Sequence, residues 1–440
     1  MSGHAPARAP LLRPALTPLR TLALTSAASL LVTYVMVSRP RLSVLVAGCL
    51  VLGLLAVCGP ATGVLCLVPL GLLGAVQTGG PVPALGGIAA VTMAVVLTVM
   101  LSGVTGPRTP RVPHGWMALL ALLLLLSFFF PATSAAPASA VDILGLMAGL
   151  VLLAAVTAVP PSPGGVARVT AVAGSLAGTY ALAAGHYADG RLDGLGLNPN
   201  YLGAMLALPL VAAVGLARRT HRAGWLAPAA ICLAGIVATQ SRGAFVASVA
   251  GAAVILVQGR PPRVKALILA AMAVAGATLP GLIGAVERFA VGRRPTAQLS
   301  SNTSAREHAA RFAADVAAAH PLRGIGYGAF PSYAAKSPLF GLYIATHDDY
   351  LRLAAEAGAL TLVVFLVLLG LGVRGRRTGD LAVLRAVVIA YAVGLVFANQ
   401  LANLVVSMPF WLSLGCLLAV SPDPRSCRSG PSRGEQENDR

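Results

Sequence analysis

Three short stretches of this 440-residue chain carry the side chains best suited to chemistry. Residues 239–244 read Thr-Gln-Ser-Arg-Gly-Ala, residues 304–308 read Ser-Ala-Arg-Glu-His, and residues 346–350 read Thr-His-Asp-Asp-Tyr. Arg242 and Arg306 offer guanidinium groups, whose planar donors match phosphate oxygens. His347 offers an imidazole that can take a proton from a hydroxyl near neutral pH. The segment 304–358 gathers arginines, histidines, glycines and aromatics between flanks that are apolar and poor in charge.

Each of these residues also has a plain structural reading. Arg242 lies in a turn too short to carry it far from the membrane, where a charge costs about 2.5–3.5 kcal/mol. It either faces a cavity or partner, or it snorkels to the headgroups. Ser304 followed by Glu307 forms a capping box, and Ala305, Ala309, Phe312, Val316 and Ala319 recur at helical spacing. This predicts an amphipathic helix over 305–319, stopped by His320-Pro321 and suited to lie on the membrane surface. Arg306 then falls in its first turn, where free N–H groups and the helix dipole attract anions, or it is an ordinary solvated arginine. Asp348 or Asp349 is placed to orient His347 and favour its charged form, although an interfacial histidine needs no such role. Arg352 and Glu356 stand at i,i+4 spacing and predict a structural ion pair.

Gly324-Ile325-Gly326-Tyr327-Gly328 follows no strand, so it reads as a turn needing glycine torsions rather than a dinucleotide fingerprint. Asn198-Pro199-Asn200 reads as an N-cap and turn. His186, His308 and His320 have no ligand spacing, which predicts no metal, and no cofactor is implied. Five cysteines, Cys49, Cys58, Cys66, Cys232 and Cys416, fall in apolar segments and Cys427 in a polar tail. They form neither a CxxC pair nor a disulfide framework.

The elements that must position these residues follow from composition. With 57% hydrophobic and 10% charged residues, the chain has more apolar surface than a soluble globule can hide. Backbone groups in lipid must be paired within the segment, so the apolar runs are helices. The fold class expected is all-α, a polytopic integral membrane protein of about 12–14 transmembrane helices with a large extracytoplasmic loop carrying a short amphipathic helix. Runs occur at 22–37, 43–58, 62–77, 82–104, 116–130, 141–159, 166–184, 201–217, 225–239, 244–257, 264–283, 350–373, 382–398 and 404–420. The net charge of +18 would suit nucleic acid, but the basic residues cluster between the runs, at 218–222, 260–265 and 374–377, as in cytoplasmic loops. No nucleic-acid partner is expected. This orientation puts 186–200, 240–243 and the long 286–346 segment together on the outer face. Residues 1–420 read as one membrane domain and 421–440 as a disordered cytoplasmic tail.

The order of these motifs resembles the O-antigen ligase and polymerase superfamily. The matching pieces are Asn198-Pro-Asn-Tyr-Leu, Ser241-Arg-Gly-Ala, Ser304-Ala-Arg306, His320-Pro-Leu-Arg-Gly-Ile-Gly-Tyr-Gly-Ala-Phe, and His347-Asp-Asp-Tyr-Leu with Glu356-Ala-Gly. The resemblance covers roughly 195–372. It implies an enzyme of the plasma (inner) membrane that moves a glycan from a polyprenyl diphosphate carrier to an acceptor hydroxyl on the outer face, without a required metal. Its partners would be the lipid-linked glycan donor, a glycan, lipid or protein acceptor, and membrane lipids. Arg242 and Arg306 match the arginines that hold the diphosphate, and His347 matches the loop histidine near the acceptor. Asn200, Ser241, Arg323, Gly326, Tyr327, Asp348 and Tyr350 are expected to contribute to substrate binding. Asp348 departs from the asparagine common in the family. A polymerase of the same superfamily differs only in its acceptor. A transporter or flippase of lipid-linked glycan also needs spans and an anion cavity, but would show internal repeats or broken helices with charges near the membrane centre.

Overall fold

The computed structural model describes residues 64, 65, 68, 111–188, 190–267, 270, 271, 296–375 and 377–420. The chain divides into two units, residues 1–50 and 51–440, and all the described residues belong to the second. The expected runs at 22–37, 43–58 and 82–104, most of those at 62–77 and 264–283, and the tail at 421–440 lie outside the described residues.

The protein is mostly helical. Its elements are α1 (Arg111–Phe129), α2 (Ala140–Ala158), α3 (Pro163–Ala184), a hairpin of β1 (His186–Ala188) and β2 (Arg191–Asp193), α4 (Pro199–Thr220), α5 (Leu226–Thr239), α6 (Arg242–Val257), α7 (Thr296–Ala319), α8 (Phe330–Lys336), α9 (Asp349–Ala357), α10 (Ala359–Val373), α11 (Gly379–Gly394) and α12 (Leu404–Ala419). Among the described residues three helices, α2, α3 and α4, are long and apolar enough to cross a membrane. Most of the others are apolar but shorter.

α4 is the axis of the bundle. It packs against α3, α5, α6, α11 and α12, and 78% of its apolar window is buried. Its start follows from the sequence, because Asn198 Oδ1 accepts the N–H groups of Asn200 and Tyr201 and Pro199 occupies the first turn. Arg218 and Arg219, the basic residues of its last turn, meet the ends of neighbouring helices. Arg219 pairs with Asp380 at the start of α11, and Arg218 donates to the carbonyl of Gln258 just past α6. The start of α4 at Pro199 is therefore about 30 Å from this basic end, at about 1.5 Å per residue.

The structure corrects two boundaries. The run at 350–373 is not one helix but two, α9 and α10, separated at Gly358 with φ +92°. Gly358 is needed there twice over: the backbone is left-handed, and a Cβ would lie 2.5 Å from the Leu322 carbonyl oxygen. The helix expected at 305–319 ends where His320-Pro321 predicts but begins at Thr296, since residues 296–303 include neither Gly nor Pro to interrupt it. Ser304 and Glu307 therefore form no capping box, and Arg306 lies in the third turn. The inner face of α7, Ala309, Ala313 and Val316, packs into a small second core with Ile325, Phe330, Ala334 and Ala355. Phe312 on α7 stacks on Phe340 at 5.1 Å and on Tyr333 at 6.1 Å. The apolar stripe thus meets protein.

Gly358→Ala is expected to destabilise the protein by about 1–3 kcal/mol. Thermal unfolding of the detergent-solubilised variant measures it, and an unchanged Tm would refute the packing argument.

Candidate functional site

α5 and α6 are joined by two residues, and that tight turn builds one wall of the site. Gln240 ends α5 in the left-handed region at φ +52°, a conformation unusual outside glycine and asparagine. It is held there by its side chain, whose Nε2 donates to the Gly190 carbonyl at 3.1 Å. The contact is reciprocated, because Arg191 of β2 donates through Nε to the Thr239 carbonyl at 2.9 Å and through its terminal nitrogen to Asn200 Oδ1 at 2.7 Å. Ser241 then starts α6 without capping it by its side chain, so among the described residues no side chain caps the first N–H groups of α6. Arg242 is the first residue of that helix and is exposed.

A cavity of ≈ 570 Å³ opens at this end of the bundle. It is lined by Arg191, Arg242, Arg306 and His347, with Asn200, Gln240, Ser241 and Gln400 as further polar groups. None of its described lining residues is acidic. Much of the apolar wall is made of small side chains, Ala204 and Ala207 of α4, Ala244 and Ala247 of α6, and Ala390 and Gly394 of α11, with Leu208, Ile344 and Phe397 as larger members. Where neighbouring helices carry Ala and Gly, room is left between them. Tyr391 lines the same wall and is fixed by stacking on Phe410 at 4.4 Å and by donating its hydroxyl hydrogen to the Gln400 carbonyl at 3.0 Å.

The helix-terminus argument applies, but to a different arginine. Arg306 sits mid-helix and reaches the cavity from α7, whereas Arg242 stands at the open N-terminus of a 16-residue helix. Guanidinium, free N–H groups and the positive end of the dipole coincide there.

His347 has φ +57°, a strained conformation for a non-glycine residue. Its carboxylate neighbours are turned to other tasks. Asp348 caps α9, its Oδ1 accepting the N–H groups of Tyr350 at 2.8 Å and Leu351 at 3.0 Å. Asp349 Oδ2 accepts those of Gln400 at 2.6 Å and Leu401 at 2.8 Å. Burial pushes the Asp348 carboxyl up, against the two N–H groups that hold it down. The expectation that a carboxylate favours charged His347 is therefore reversed: burial, and then the Arg306 charge, depress the imidazole to about 4. It is neutral at physiological pH and able to accept a proton.

Several other expected residues lie elsewhere. Arg323 is exposed away from the cavity lining, and the Tyr350 hydroxyl donates to the Ala392 carbonyl at 2.7 Å. Gly326 and Tyr327 belong to a buried turn that docks on α9. Its centre is Arg352, which pairs with Glu356 at 2.8 Å and Asp142 of α2 at 2.7 Å and sits 4.8 Å over the Tyr327 ring. Glu356 also accepts the backbone N–H groups of Gly328 at 2.7 Å and Phe330 at 3.0 Å. The Arg352–Glu356 pair is thus the structural one that the spacing predicts. Gly324, with φ +62°, leaves a Cβ only 2.3 Å from the Glu356 carbonyl group, so the turn closes on α9 without a side chain between them.

Arg191, Gln240 and Gln400 are cavity residues that the motifs do not single out. Arg191 had one available signal: Asp189-Gly190 is a hairpin-turn pair, which folds the next residue back toward Asn198–Asn200.

Among the described residues no group of three or more His, Cys, Asp and Glu is arranged to hold a metal ion. Long apolar helices mark a helical membrane protein, and one end of it carries a chamber lined by three arginines, Arg191, Arg242 and Arg306. Residues 227–366, about a third of the chain, are similar to the family model described as O-antigen ligase. Arg242, Arg306 and His347 fall inside the matched segment, while Arg191 and Asn200 precede it. No curated protein matches the chain.

Glu356→Gln is expected to cost about 3 kcal/mol, near the low end for breaking a buried pair because Asp142 still faces Arg352. Thermal unfolding in detergent reads this out; a cost below about 1 kcal/mol would show that the pair is dispensable.

Proposed function

We propose that this protein is a membrane glycosyltransferase that moves a glycan from a polyprenyl diphosphate carrier to an acceptor hydroxyl on the outer face of the plasma membrane. The observation that carries this reading is the convergence of Arg242, Arg306 and His347 on one cavity with no acidic group among its described lining residues. Arg242 and the open N-terminus of α6 bind the diphosphate, and Arg306 closes on it from α7. His347 faces the acceptor as the general base. The acceptor oxygen attacks the anomeric carbon, and the bond from that carbon to the diphosphate breaks with its electron pair going to the leaving phosphate. The acceptor proton passes to the His347 imidazole. Guanidinium groups stabilise the charge gathering on the leaving group, an effect largest where water is sparse. No ion has to be supplied for this charge balance.

Charge supports this orientation. The basic end of α4, at Arg218 and Arg219, reads as cytoplasmic under the positive-inside rule, and the cavity at the opposite end of α4 would then open on the outer side.

Arg242→Ala, Arg306→Ala and His347→Ala are each expected to lower transfer by about 100-fold or more while leaving membrane insertion intact. The assay is transfer from a polyprenyl diphosphate donor to added acceptor by purified protein. Activity surviving His347→Ala would remove the base, and transport of the donor across a vesicle wall without transfer would favour a flippase. The pH profile supplies a second test. A base depressed to about 4 is neutral above that pH, so kcat/KM is lost only as pH falls through about 4. Bound diphosphate offsets the Arg306 charge, so the acid limb of kcat should lie at higher pH than that of kcat/KM. Coincident limbs would contradict the arrangement.

A further inference from the structure

His347 is flanked in the chain by two buried residues that both bind the connection between α11 and α12. On one side, Thr346 Oγ1 donates to Asn399 Oδ1 at 2.9 Å, and Thr346 is only 2% exposed. On the other, the Asp349 N–H donates to the Leu395 carbonyl at 2.8 Å, while its fully buried carboxylate accepts the N–H groups of Gln400 and Leu401. The connection is itself pinned from behind, by the Tyr201 hydroxyl on the Asn399 carbonyl at 2.7 Å and the Tyr391 hydroxyl on that of Gln400. His347 is thus the one left-handed residue between two clasps, and Phe397, Ala398 and Gln400 of the clasped connection line the same cavity.

We propose that Asp349, with Thr346, is a positioning residue that holds the His347 imidazole in the cavity through the α11–α12 connection. The proposal rests on the reading of His347 as the general base. Burying a carboxylate away from water is costly, and this one spends its hydrogen bonds on backbone N–H groups rather than on packing helices together. What those bonds fix is the distance between residues 346–349 and 395–401, and with it the position of a residue whose own backbone would relax out of φ +57° if released. The charge that acts on the imidazole is Arg306 from α7; Arg242 of α6 and Arg191 of β2 line the same cavity, and Asp348, next in the chain, is occupied as the N-cap of α9.

The test compares wild type, Asp349→Ala and Thr346→Val in the full-length purified protein. Two quantities are measured: steady-state transfer, and the imidazole titration of His347 by the pH dependence of diethyl pyrocarbonate modification, localised by mass spectrometry. Releasing the clasp should lower kcat about 10-fold or more in Asp349→Ala with donor KM nearly unchanged, because the guanidinium groups still hold the donor. The imidazole should titrate above its native value of about 4, toward the free value of 6.5, as water reaches the ring. Wild-type kcat together with an unmoved titration would overturn the proposal. Should Asp349→Ala not fold, Thr346→Val decides, since it removes one hydroxyl and keeps the shape: a smaller loss of kcat, about 3-fold, with the same upward titration is expected, and no change in either overturns it. If His347→Ala remains active, the catalytic reading fails by itself, and the titration still reports whether the clasp positions the ring.

Discussion

The arrangement depends on one buried cation. Arg352 lies inside the protein with Glu356 on one side, Asp142 on the other and the face of Tyr327 beneath it. Removing Arg352 and Glu356 from water costs several kcal/mol for each, Asp142 staying partly exposed, and their mutual attraction offsets this only when the remaining hydrogen-bonding capacity is used. Here Glu356 spends it on the backbone N–H groups of Gly328 and Phe330. The same cluster therefore does three jobs. It joins α9 to α2, it anchors the 324–330 turn, and it fixes the helix at whose N-terminal edge His347 stands.

From that anchor the site is assembled by short-range contacts between termini. The N-terminus of α4, the α5–α6 turn, the β-hairpin and the α11–α12 connection meet at one end of the bundle, and each is held by backbone carbonyl or N–H groups of another. Arg191 and Gln240 exchange bonds between the hairpin and the turn; Tyr201 and Asp349 do the same between α4, α9 and the 395–401 connection. Loops tied in this way are rigid without regular structure of their own. Below them, alanine and glycine on α4, α6 and α11 keep the helices from filling the space, so a chamber with an arginine rim and a small-residue wall results.

Much of this was legible in the sequence, and the reasons for what was not are specific. Apolar runs located α2, α3 and α4 within a few residues, because each is bounded by Ser, Asn or Pro that cap or start helices. The motif order indicated the family, and Arg242, Arg306, His347, Asn200 and Ser241 do share a cavity. The break at Gly358 was hidden because hydropathy averages over a glycine, while the cause of the break is a carbonyl from the distant residue Leu322. The start of α7 was misplaced because a capping box is local, and nothing local shows that the helix has already begun. The roles of Asp348 and Asp349 were unreadable for a similar reason: adjacency in sequence to His347 suggested a shared task, but their partners lie in the turn of their own helix and 51 and 52 residues further on.

The position of His347 among positive charges has a consequence for the order of events on the proposed reading. Arg306 and burial together make the imidazole a weak base while the chamber holds no anion. A diphosphate held by Arg242 and Arg306 brings negative charge into the same cavity as the imidazole, where the opposite charges attract. The imidazole then gains affinity for a proton at the moment that a leaving group is in place, so the charge that must be stabilised on the donor is also the charge that strengthens the base. Donor binding thus precedes effective deprotonation of the acceptor for electrostatic reasons alone. No conformational change has to be invoked to couple the two.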